Sequence, residues 1–155
     1  MDALTIKQPW LWCITDLTDK PKRVENRSWK PPYRIIGQRI ALHASKRIDQ
    51  AEMTACRRVC LSPLPRTREF VAGAIVATAI VQGYVVVNGQ GGVVEQSRLA
   101  ASYKPRSDPW FFGPVGWLLE DVQKLPAPIF CKGALGLWRV PADIAAMIAE
   151  APNVS

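Results

Sequence analysis

The stretch WFFGPVGWLLEDVQKLPAPIFCKGALGLWRVP, residues 110–141, decides the fold class. It holds two strand candidates, VGWLLEDVQKLP (115–126) and GALGLWRV (133–140), with no helical period between them. Gly113 and Gly116 flank a proline, so the backbone there can turn tightly and approach a neighbour closely. Just upstream, residues 71–82 are dominated by Val, Ile, Ala and Thr, which suit a buried strand. NGQGG (88–92) then reads as a turn or a mobile loop. The first half mixes strands with helices. ALTI (3–6) and QRIALHA (38–44) read as strands, and Trp10, Cys13, Ile14 and Leu17 recur at helical spacing from Pro9 to about Asp19. A second helix is expected from a Ser45 cap to about Cys60, with Ile48, Ala51, Ala55 and Val59 as its inner stripe. A last one, PADIAAMIAE, would turn Ile144, Met147 and Ile148 inward. Strands with unevenly inserted helices imply an α+β fold, a small and mostly antiparallel barrel with flanking helices, spanning residues 1–155 as one domain.

A hydrophobic fraction of 48% against 21% charged residues excludes wholesale disorder. Lys and Arg outnumber Asp and Glu by 20 to 13, so a polyanionic partner is favoured, nucleic acid being the commonest of these. Cys13, Cys56, Cys60 and Cys131 lack the paired spacing of a metal ribbon, and His43 is the only histidine. No metal and no cofactor are therefore expected. VAGAIVATAIVQG is too short to cross a bilayer, and MDALTIKQPW lacks the apolar centre of a signal peptide. A cytoplasmic protein with reduced thiols and no membrane partner is expected.

PKRVENRSWK (21–30) concentrates charge beside an indole. On an extended chain Lys22 and Glu25 face opposite sides; if the chain turns after Pro21 they meet. Such a pair serves either as a ligand contact or as an ion pair closing the fold, and Arg27 joins it in either role. Lys7 and Gln8 precede the first helix, where an anion or a base edge could be held. Trp10, Trp29 and Trp110 follow prolines or polar residues in non-periodic stretches and could line a cleft as stacking surfaces, with Phe112 and Gly113 beside them. Trp12, Trp117 and Trp138 read as core. Ser45 and Lys46 stand at a strand end and extend the ligand set, whereas His43 reads as a structural group.

LTIKQPW, KRVENRSW, RIALHASK and the 110–141 stretch, in this order, resemble the ASCH family of the PUA-like superfamily. The likeness covers nearly the whole chain, least so at residues 50–70 and 85–105. Its most specific element is the lysine–x–x–glutamate–x–arginine pattern at Lys22, Glu25 and Arg27. The resemblance implies a PUA-like β-barrel with a ligand cleft, and partners that are RNA, single-stranded nucleic acid or a modified nucleoside. It also implies an alternative, a small hydrolase acting on N4-acylated cytidine or a metal-assisted ribonuclease, in which Lys22 and Glu25 would be catalytic. The amidohydrolases of similar sequence carry a threonine where this chain has Glu25. Glu120 and Asp121 are the nearest acid pair in the second half, but adjacent strand residues point to opposite faces. Binding is therefore the leading expectation.

Overall fold

The computed structural model describes residues 1–152, and the chain folds as α+β. In chain order the elements are β1 (Asp2–Ile6), α1 (Trp10–Thr15), β2 (Val24–Arg27), β3 (Arg39–Ala44), α2 (Gln50–Arg57), β4 (Ala74–Val87), β5 (Val93–Gln96), β6 (Val115–Phe130), β7 (Leu137–Arg139) and α3 (Ala142–Glu150). Among the described residues the strands join one sheet in the order β2-β6-β4-β3-β1-β7, with β5 on β4. The sheet is mixed: β1 runs parallel to β3, while β1/β7, β2/β6 and β4/β5 are antiparallel. Contacts group the chain into two compact units, the first being residues 1–21, 40–79 and 122 onward, the second residues 22–39 and 80–121.

In the first unit β1 is buried along nearly its whole length, because β3 and β7 pair with its two edges. Ala3, Ala41, Ile75, Ile129, Val140 and Ile148 form a core cluster there. Helix α1 is shorter than its periodicity suggests, ending at Thr15, whose hydroxyl bonds back to the Leu11 carbonyl. Helix α2 starts later than expected. Asp49, not Ser45, is its cap, accepting from the Ala51 amide, an arrangement worth about 0.5–2 kcal/mol. Its buried residues are Met53 and Cys56; Ala51 and Ala55 are exposed, while Ile48 and Val59 flank the helix and are half-buried. The Cys56 sulfur lies 3.4 Å from that of Cys13, so two of the thiols serve as small core groups. In α3, Ile148 is buried and Ile144 half-buried, but Met147 is exposed.

In the second unit β2 pairs with the first part of β6, setting Glu25 opposite Trp117 and Asn26 opposite Gly116. Trp117 is fully buried, its indole N–H donated to the Trp29 carbonyl. Asn88 closes the β4–β5 turn by accepting from the Gln90 and Gly92 amides. Arg39 pairs with Asp121, which has a left-handed φ of 46°. The tight approach expected at Gly116 is to the chain itself, since a Cβ there would sit 2.6 Å from the Phe111 ring.

Candidate functional site

A cavity of about 830 Å³ opens in the first unit, within the size range of small-ligand sites. Thr5 on β1 and His43 on β3 are register partners and form part of its lining with Ser45 and Lys46, which follow β3. Gly73 precedes β4, and Phe130, Cys131, Lys132, Gly133, Ala134 and Leu135 leave the end of β6 to complete the lining. The 131–135 segment lies directly on the imidazole. A Cβ on Gly133 would fall 2.3 Å from His43 Cε1 and 2.6 Å from Nδ1, so only glycine allows this approach.

The polar groups behind the lining largely satisfy each other. The Trp138 indole donates to Thr5 Oγ1 at 2.9 Å, and that hydroxyl donates to the Ala134 carbonyl at 2.7 Å. His43 Nε2 lies 3.2 Å from the Cys131 carbonyl, and Nδ1 lies 3.3 Å from Thr5 Oγ1. Burial pushes the His43 pKa below its ordinary value, partly opposed by the Cys131 carbonyl. The ring is thus neutral at pH 7, with its proton assigned to Nε2 by the carbonyl. Burial also pushes the Cys131 thiol up, leaving it protonated and a poor nucleophile.

The groups at the mouth differ in kind. Ser45 Oγ, Lys46 Nζ and Lys132 Nζ have no hydrogen bond or ion pair among the described residues. By contrast, Lys7, Lys22, Lys30 and Lys124 are each held by a carboxylate. Among the described residues no acidic side chain is in the lining, and Phe130 stands 71% exposed at the rim.

The remaining sequence-predicted residues of the first unit engage the protein. Lys7 Nζ and Trp10 Nε1 meet on Glu52, at 2.9 and 2.6 Å. Burial pulls the Glu52 carboxyl upward, but the hydrogen bonds from Trp10 and Lys7 and the charge of Lys7 outweigh it and hold it low. Gln8 is buried with both ends of its amide occupied, donating to the Val71 carbonyl and accepting from the Trp12 amide. In this arrangement its amide braces the start of α1, and the residue also lines a smaller cavity of about 380 Å³.

In the second unit Lys22, Glu25 and Arg27 do meet. The chain turns so that Lys22 Nζ lies 2.7 Å from Glu25 Oε2, and Arg27 Nε lies 3.3 Å from Oε1. Asn26, a neighbour not among the candidates, ties down the 110–113 segment. It donates to the Trp110 carbonyl and accepts from the Phe112 and Gly113 amides. Trp110 is 5% exposed and so is a core ring. Trp29 is half-buried, edge-on to Trp117 at 4.7 Å. Phe112 is half exposed and, with Gly113 at φ +69°, lines a second cavity of about 570 Å³.

No tryptophan lines the larger cavity; its exposed aromatic is Phe130. Of the indoles expected at a cleft, Trp110 is buried, whereas Trp10 and Trp29 are half-buried and keep part of their surface open. Phe130, Lys132 and Gly133 were outside the sequence-based set, although IFCKG after a proline-rich strand end, an aromatic and a lysine two apart followed by glycine, is a legible signal. Among the described residues no three His, Cys, Asp or Glu side chains group to hold a metal ion.

No protein-family model matches the chain. No curated protein matches it either. Among solved structures it is similar to a crystallised mutant of ZmASCH from Zymomonas mobilis, at 14% identity and a TM-score of 0.49, over 96% of this chain and 93% of that one.

Proposed function

We propose that the chain is a binding module for single-stranded nucleic acid, RNA above all, or for a nucleoside derived from it, with the larger cavity as the seat of a base and its phosphate. One observation carries the reading: among the described residues, two lysines without protein partners and an exposed phenylalanine border a single cavity whose lining has no carboxylate. The Phe130 face offers a stacking surface worth about 1–3 kcal/mol per base. Lys46 and Lys132 supply charge for the backbone, and Ser45 a hydroxyl for a sugar or base edge. The formal charge of +7 and the order of motifs resembling ASCH proteins point the same way.

Fluorescence anisotropy with a labelled single-stranded RNA tests it. Affinity should fall with salt, and losing both lysines should flatten the log–log salt slope by about 1.4, at 0.7 per neutralised phosphate. Phe130→Ala should weaken binding about 5- to 150-fold. Absence of RNA affinity at low salt overturns the proposal.

The Lys22–Glu25 pair favours a second reading, a nucleotide-directed hydrolase acting on N4-acylated cytidine or RNA. In it the ammonium, 2.7 Å from the carboxylate, polarises an oxygen while the carboxylate serves as base, which requires the pair, only 1% and 9% exposed, to open to substrate. Turnover that persists through extensive purification and vanishes in both Lys22→Ala and Glu25→Gln would support it. Turnover unchanged in those variants would point to a contaminant.

A further inference from the structure

The larger cavity has more to offer an anion than an internal phosphodiester can use. Besides the two unpaired ammonium groups and the Ser45 hydroxyl, the backbone N–H groups of Lys132, Gly133, Ala134 and Leu135 donate to no acceptor among the described residues. Consecutive unpartnered amides along a loop are the raw material of an anion cradle. Here they belong to a segment that the bare Gly133 lets lie flat on the His43 ring. His43 itself, neutral and engaged with the Cys131 carbonyl, adds no charge, and no carboxylate in the lining opposes the lysines.

An internal phosphodiester brings one negative charge and two unesterified oxygens. A phosphomonoester brings about 1.5 to 2 charges at neutral pH and three such oxygens. Two ammonium groups and a hydroxyl, with loop amides left over beside them, match the second inventory better than the first. With Phe130 exposed at the same rim, a base next to that phosphate has a surface to stack on.

We propose that this cavity recognises a terminal phosphomonoester, so that the chain binds phosphorylated ends of single-stranded nucleic acid, or a mononucleotide, in preference to the strand interior. This rests on the reading of the cavity as a nucleic-acid site.

The test uses internally labelled RNAs of one sequence carrying a 5′-phosphate, a 3′-phosphate or hydroxyls at both ends, with the full chain, at fixed salt. One phosphorylated end should bind at least about tenfold more tightly than the hydroxyl form, the scale of one further hydrogen bond to a charged group. The end that gains identifies the source of the phosphate, and the matching mononucleotide should compete where the nucleoside does not. Lys46→Ala and Lys132→Ala should each shrink the preference, and Lys132→Arg should keep most of it. Both lysines are exposed, and circular dichroism would check that the variants fold. Equal affinity for all three RNAs overturns the end-recognition proposal while leaving the binding module in place. No binding by any RNA overturns both. A preference that survives both alanine variants overturns the assignment to this cavity.

Discussion

Glu25→Gln preserves the shape of a side chain while removing its charge, and in this chain the two halves of the ion pair should not cost the same. Lys22 Nζ lies 2.7 Å from Glu25 Oε2, with the lysine side chain 1% exposed and no other partner for its ammonium among the described residues. Glutamine can still accept a hydrogen bond, but the ammonium is left in a dry site without a counter-charge. Breaking a buried pair from one side costs about 3–5 kcal/mol. Lys22→Met breaks it from the other side, where the carboxylate keeps Arg27 Nε at 3.3 Å from Oε1. Its cost should be smaller, about 1–3 kcal/mol. At about 2–4 °C per kcal/mol for a chain of this size, Glu25→Gln should lower the melting temperature by about 6–20 °C. Adding Lys22→Met to Glu25→Gln should recover part of the loss, because the stranded ammonium is gone. Urea unfolding followed by circular dichroism measures all three. Glu25→Gln within about 1 kcal/mol of the parent, as for an exposed pair, or a larger loss for Lys22→Met, refutes the reasoning.

Three further outcomes are expected. Gly133→Ala should force the 131–135 loop off His43, because its Cβ would meet the ring at 2.3 Å; it should cost about 1–3 kcal/mol and weaken RNA binding with both lysines intact, whereas unchanged melting and affinity would contradict the packing argument. Asn26→Ala removes three hydrogen bonds to the 110–113 segment, a loss of about 1.5–4.5 kcal/mol at 0.5–1.5 each, and urea unfolding that shows no change would disprove that bracing role. His43 has its folded pKa depressed by burial, so the unfolded chain binds more protons; stability is full above about pH 6.5 and lost as pH falls from there toward the folded value. Melting temperatures stepped from pH 7.5 to 5.5 should decline and the decline should shrink in His43→Asn; a flat profile in the parent would sink this assignment.

Much of the element pattern is legible locally. The valine- and isoleucine-rich run became β4, NGQGG became its turn, and the 110–141 stretch supplied β6 and β7. Where the reading slipped, the cause was a competition among nearby polar groups. Ser45 and Asp49 both suit a helix cap, and it is Asp49 that accepts from the Ala51 amide, so the helix begins at Gln50. Met147 falls on a helical stripe yet stays exposed, since the side of α3 that meets the core cluster is that of Ile144, Ala145 and Ile148.

Lys22 and Glu25 could be paired from the sequence because three residues of chain bring them together, and one turn after Pro21 suffices. The same holds for helix and strand types, which follow from periodicities of a few residues. The cavity is of another kind: Thr5 meets His43 across 38 positions and His43 meets Cys131 across 88. Those meetings depend on the parallel register of β1 on β3 and on a glycine thin enough to lie against a ring. Which lysines remain free is likewise a property of the folded chain, because a lysine is unpaired only where no carboxylate from elsewhere arrives. Local pattern reports which side of an element is apolar; it carries no record of what the other end of the chain will set against it.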